Sequence, residues 1–231
     1  MEFHQLFDQE SSTYTYLVAD NATHDAIIID PVMEKLDRDI RLIKELNYAL
    51  RYILETHVHA DHVTAAAKLR TEFGAKVGLG QGSGVDCADF LLKDGQRLEW
   101  GSLCLTAWES PGHTNGCMCY VMSDRVFTGD ALMIRTAGRT DFQQGSAENL
   151  YDSIQRLYGL PDDTLVFPAH DYQGISSSTI GMEKKWNVRI PSSKSKQEFV
   201  AVMNGLTLKD PKKIKISVPA NLKCGDVDLH G

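Results

Sequence analysis

No stretch of this 231-residue chain stays apolar for the roughly 20 residues that a membrane-spanning helix needs, so a soluble protein is expected. Positive charge is scarce too. The formal net charge is −7, and the basic stretch from Lys209 to Lys215 is too short to neutralise a run of phosphates, which argues against a nucleic-acid partner. Lys212, Lys213 and Lys215 read as a solvated edge. Phosphate-cradling loops are missing: Gly78, Gly80, Gly82 and Gly84 alternate instead of following G-x-G-x-x-G, and no Gly-Lys-Ser/Thr follows, which leaves a flexible connection. There is no internal repeat and no low-complexity tract. Cysteine is sparse and odd in number (Cys87, Cys104, Cys117, Cys119, Cys224), and the chain opens without a basic start and apolar h-region. These absences exclude a disulfide-stapled secreted scaffold and point to a reducing compartment. Cys117 and Cys119 read as small buried hydrophobes, and Cys224 as a buried or surface thiol.

The apolar pattern predicts strands at 14–18, 26–30, 50–54, 76–79, 103–107, 118–122, 125–127 and 165–167. Helices are expected at 33–47, 63–73, 148–158 and 180–189, where apolar residues keep a helical period. Strand runs flanked by helices at both ends imply an α/β fold of two face-to-face sheets with helices outside, a four-layer αββα sandwich. We expect one domain. Its catalytic part spans residues 1–190, with a C-terminal extension at 191–231 packing on it.

What the chain does have is a set of metal-capable side chains at unusual spacing. His57, His59, Asp61 and His62 form H-x-H-x-D-H between a strand and a helix, and they cannot all face one side of either element, so they must come from a loop. Asp61 and His62 would lie near the helix start, where a carboxylate meets unpaired amides. His113 follows Pro111-Gly112, Asp130 follows Thr128-Gly129, and His170 follows Pro168-Ala169. Each pairs a strand end with turn residues and a ligand, which predicts convergence on one pocket. His4, His24 and His230 lack such a setting and read as solvated. No Ser/His/Asp or Cys/His nucleophile emerges outside the cluster.

Taken together, the Thr-His-x-His-x-Asp-His loop, the Pro-Gly-His turn, the Thr-Gly-Asp turn and the late Pro-Ala-His resemble the metallo-β-lactamase superfamily over about residues 10–180. Residues 110–117, 127–132, 138–145, 168–172 and 218–221 are similar, more narrowly, to the persulfide dioxygenases related to the ethylmalonic encephalopathy protein. That resemblance runs nearly end to end. It implies one Fe(II) per chain held by His57, His113 and Asp130, with His59, Asp61, His62 and His170 in supporting positions around it. Spacing alone would have put those four on a second metal. The implied reaction oxidises glutathione persulfide with O2 and water to sulfite and glutathione, and the anionic substrate would be held by Arg139 and Tyr172, with Asn221 and Arg135 as further candidates. The alternative is a glyoxalase II-like thioester hydrolase with two zinc ions. The resemblance also allows a homodimer. A bacterial-type cytoplasmic location is expected, or the mitochondrial matrix for a eukaryotic chain.

Overall fold

In the computed structural model, which describes residues 1–226, β1 (Glu2–Asp8) runs antiparallel along β2 (Thr13–Ala19), and β2 has no exposed residue. The reason lies in where its alternate side chains go. Tyr14, Tyr16 and Val18 enter the core between two sheets, while Leu17 and Ala19 enter a second core beneath helices. β3 (Asp25–Ile29) splits in the same way, with Ile27 and Ile29 on one side and Ala26 and Ile28 on the other. Strands buried on both faces read as continuous apolar runs, which is why the sequence showed them so clearly.

A 3-10 turn at Met33–Lys35 leads into α1 (Leu36–Glu45), then β4 (Ala49–Leu54), the long loop 55–65, α2 (Ala66–Phe73), β5 (Lys76–Gly80) and β6 (Phe90–Leu92). Strands β1 to β6 form the first sheet in chain order. The second sheet is built from β7 (Arg97–Trp100), β8 (Leu103–Glu109), β9 (Met118–Val121), β10 (Arg125–Gly129), β11 (Leu165–Pro168) and β12 (Ser178–Thr179), again in spatial order of the chain. Helix α3 (Ala147–Leu157) and, beyond β12, α4 (Ile180–Trp186) and α5 (Lys196–Asn204) contribute Leu150, Ile154, Ile180, Phe199 and Met203 to a third core with Val126 and Val166. The layers are therefore helix, sheet, sheet, helix.

The C-terminal segment is more regular than the sequence suggested. Besides α5 it carries α6 (Ile214–Asn221), which has Pro219 inside it, and β1, β6, β7 and β12 also went unread. These elements are short or half-exposed, so their hydropathy carries little period. The helix expected from residue 63 starts at Ala66 instead, which leaves Asp61 and His62 in the loop and not in a first helical turn. Of the isolated histidines, His24 is exposed, His4 lies 3.2 Å from the Tyr48 hydroxyl, and His230 lies outside the described residues.

Cysteine is where the expectation of free thiols fails. Cys87, after β5, and Cys224, after α6, form a disulfide that spans 137 residues, because the end of α6 lies against the β5–β6 connection. Cys104, Cys117 and Cys119 remain thiols, and burial pushes Cys117 and Cys119 up to about 12. Closing so long a loop restricts the unfolded chain, so Cys87→Ser is expected to lower unfolding free energy by about 2–4 kcal/mol. Urea titrations with and without dithiothreitol check this: wild type should fall to the variant's midpoint on reduction, and the variant should not respond.

Candidate metal centre

Each metal-capable side chain leaves the C-terminal end of a strand, and the two sheets bring those ends together. His57, His59, Asp61 and His62 come from the loop after β4, His113 from the turn between β8 and β9, Asp130 from the end of β10, and His170 from the end of β11. Two glycines make the close approach workable. Gly129 has φ +54°, and a Cβ there would meet Thr56 at 2.8 Å; one at Gly138 would strike the Asp130 carbonyl oxygen at 2.3 Å and the His113 ring at 2.9 Å.

His57, His113 and Asp130 form a buried group whose ligand atoms all lie within 4.8 Å of one another. Their hydrogen bonds decide which atoms face inward. His113 Nδ1 lies 2.7 Å from the Arg139 carbonyl oxygen, an acceptor, so Nδ1 carries the proton and Nε2 keeps its lone pair, 3.6 Å from Asp130 Oδ2. His57 Nδ1 lies 3.0 Å from the Thr56 hydroxyl, which itself donates to Asp30 Oδ2 at 2.8 Å, so His57 Nδ1 donates and its Nε2 is free. Burial, reinforced by the neighbouring His59, holds the His57 imidazole well below its ordinary pKa. For Asp130 burial pushes the other way, but His170, hydrogen-bonded to it, outweighs burial and keeps the carboxyl far below the usual carboxylate range. Neutral imidazoles with inward lone pairs and an ionised carboxylate are the forms that bind a cation.

His59, Asp61, His62 and His170 form a second group with ligand atoms within 4.8 Å of one another. His170 links the two groups: its Nδ1 is 2.7 Å from Asp130 Oδ1 and its Nε2 is 3.1 Å from Asp61 Oδ2. Burial disfavours its protonation, yet the two carboxylates prevail and raise its pKa well above the ordinary imidazole value. His59 turns toward carboxylates the sequence reading missed. Its Nε2 lies 3.2 Å from Asp30 Oδ1 and 3.6 Å from Glu55 Oε2, both fully buried. A third missed side chain, Thr13, places its hydroxyl among Asp61, His62 and His170.

The first group opens on a cleft of about 580 Å³ walled by Phe142, Tyr172, Arg139, Arg189 and the segment Leu208–Lys213. Among the expected substrate contacts, Arg139 and Tyr172 line it, and the Tyr172 ring stacks on His170 at 6.2 Å with 3° between planes. Arg139 is already engaged: its Nε and Nη2 reach Asp141 at 2.6 Å each, and Nη1 donates to the Lys209 carbonyl at 2.7 Å. Arg135 and Asn221 do not line this cleft. Arg135, with φ +61°, is ion-paired to the buried Glu183 of α4. Asn221 sits under the ligand loop, where Nδ2 donates to the His59 and His62 carbonyls at 2.9 and 2.8 Å and Oδ1 accepts from Thr64 N at 2.9 Å. The loop's buried backbone needs those partners, which explains the Val-Pro-Ala-Asn element at α6 without a substrate.

Two imidazole nitrogens and a carboxylate on one side, with the other side on a cleft, fit a divalent transition metal that keeps open positions. The model of the metallo-β-lactamase superfamily matches residues 9–170, which contain all seven metal-capable residues. The mitochondrial persulfide dioxygenase ETHE1 of Bos taurus is 45% identical over 225 residues, 96% of this chain and 87% of the relative, and its Homo sapiens counterpart is 44% identical over the same span. The crystal structure of ETHE1 from Myxococcus xanthus superposes with a TM-score of 0.95 at 48% identity, covering 97% of this chain and 100% of that one. Likeness of this extent includes the C-terminal segment that the superfamily match leaves out, so the chain belongs to the persulfide dioxygenase family of the metallo-β-lactamase superfamily.

Proposed function

We propose that this protein is an Fe(II)-dependent persulfide dioxygenase that converts glutathione persulfide, O2 and water to glutathione and sulfite. The observation that carries the reading is the donor arrangement. His57, His113 and Asp130 form a three-donor face on the cleft, while Asp61, His62 and His170 hydrogen-bond among themselves and to Thr13 and Asp130, and His59 lies beside Asp30 and Glu55. Two histidines and one carboxylate would hold one ferrous ion. When bound, iron supplies the one-electron chemistry that lets triplet dioxygen react with a closed-shell sulfur anion.

The rest is the work of the chain. His113 is oriented by the Arg139 carbonyl and His57 by Thr56 and Asp30, so the three donors are held in place before any ligand arrives. Phe142 and Tyr172 wall the cleft beside the donors. The tripeptide carries carboxylates, and the cations of the cleft sort by what they already touch. Arg139 is taken by Asp141, and Lys213 by Glu10 and Glu34, while Lys209 and Lys212 are solvent-exposed. Arg189 is half-buried, spends one contact on the Ala137 carbonyl, and has no carboxylate partner among the described residues. We assign it the substrate carboxylate, with Arg139 holding the Leu208–Lys209 strap over the site.

The protein purified anaerobically is expected to contain one iron per chain and to consume one O2 per sulfite formed from glutathione persulfide. Two zinc ions per chain with hydrolysis of S-lactoylglutathione would overturn the reading in favour of the glyoxalase II-like one. A homodimer belongs to the same proposal, as does a cytoplasmic setting or, for a eukaryotic chain, the mitochondrial matrix, and light scattering reads the first. No helix among the described residues is long and apolar enough to cross a membrane.

A further inference from the structure

Seven metal-capable side chains crowd this site, and spacing alone assigns four of them to a second cation. The structure supplies a reason why that second site should not load. Asp61 Oδ2, His62 Nδ1 and His170 Nε2 lie 3.3, 3.3 and 3.1 Å from one atom, the Thr13 hydroxyl oxygen. One polar atom of each of three side chains that a second cation would need thus already meets an oxygen that the protein itself provides, with His62 Nε2 left buried and unpartnered. Their fourth companion, His59, is turned to Asp30, 3.2 Å away.

Thr13 has little freedom to leave. It is wholly buried at the start of β2, pairs with His170 in an isolated antiparallel bridge, and its neighbour Tyr14 donates from its backbone N to the Ala169 carbonyl at 2.7 Å. A β-branched side chain is stiff about χ1, so a fixed backbone fixes the hydroxyl. From behind, Ser11 Oγ stands 2.7 Å from Thr13 Oγ1 and donates to Asp8 Oδ2 at 2.6 Å, which anchors the hydroxyl in a chain of polar contacts. The hydroxyl touches Asp61, His62 and His170 without adding charge of its own. A metal would have to displace it and leave Ser11 without that contact.

We propose that Thr13 determines metal stoichiometry: its hydroxyl occupies the pocket of Asp61, His62 and His170 and keeps the centre mononuclear. The inference rests on the one-iron reading above and names the residue that enforces it. It is a positioning role, because Thr13 touches neither the cleft nor the three donors His57, His113 and Asp130.

The test loads metal-free protein with excess Zn²⁺, removes the excess by gel filtration and counts metal per chain by mass spectrometry. Wild type and Thr13→Ser are expected to retain one equivalent, and Thr13→Ala two, with the second equivalent bound at least tenfold more tightly than wild type binds it. A folded Thr13→Ala that still holds one equivalent overturns the proposal while leaving the dioxygenase reading intact. Two equivalents in wild type overturn the proposal as well, and the dioxygenase reading falls with it only if that protein also hydrolyses S-lactoylglutathione. Should Thr13→Ala fail to fold, wild-type crystals soaked in Zn²⁺ decide: anomalous density confined to the His57, His113, Asp130 group supports the proposal, and density among Asp61, His62 and His170 refutes it.

Discussion

His113→Ala is expected to be isolated without iron and to oxidise glutathione persulfide more than about 100-fold more slowly than wild type, a loss beyond the 10- to 100-fold typical of residues that only orient ligands. The asymmetry follows from the count of donors. A three-donor face has no spare protein ligand, so removing His113 leaves only His57 and Asp130, and nothing else in the group can move in. His59→Ala makes the contrast. Its Nε2 faces Asp30 and Glu55, so the variant should keep one iron per chain and lose activity within the 10- to 100-fold range. Iron analysis beside oxygen-electrode rates reads both quantities on the same samples. If the two variants lose metal equally, His59 is a ligand and the three-donor assignment is wrong.

The contrast also marks how far the sequence could be read. H-x-H-x-D-H and the three later turns announced a metal site because imidazole and carboxylate beside Gly and Pro at strand ends have few other uses. The loop was legible for the same reason: four ligands so close together fit no helix face. What spacing could not tell was how the donors divide. That depends on Asp30, Glu55 and Thr13, which lie 29, 4 and 46 positions before His59 and reach the site through the topology: Asp30 follows β3, beside β4, and Thr13 opens β2, bridged to His170. Asp30 does stand before Pro31 at a strand end, but Glu55 lies in no turn motif, and a buried threonine beginning a strand has no signature of its own. The doubly buried strands were visible as apolar runs, whereas half-exposed β1 and the short β6 and β7 were not. The Asn221 element was noticed for its resemblance, yet its work is backbone support at carbonyls, which leaves no mark in side-chain chemistry.

Arg189 is the other residue that sequence reading passed over, and it gives the sharpest test of how the substrate is held. It follows the buried Asn187, whose side-chain oxygen accepts from the Arg189 backbone N at 3.1 Å and so points the strand of chain toward the cleft. Burial alone lowers the pKa of its guanidinium, with no acidic neighbour compensating, which is an unfavourable setting for a structural arginine and a favourable one for an anion site. Arg189→Met keeps the length and removes the charge. A hydrogen bond to a charged group contributes about 1.5–3 kcal/mol, so kcat/KM for glutathione persulfide should fall about 10- to 100-fold. The loss should appear mainly in KM, because the contact lies away from the reacting sulfur and is the same in ground and transition states. The persulfide of glutathione diethyl ester, which lacks the carboxylates, should discriminate wild type from variant by less than about threefold, and Arg189→Lys should restore part of the preference. Equal losses on both substrates, or iron lost from the variant, would mean that Arg189 shapes the metal centre through Ala137 and Gly138 instead of meeting the substrate.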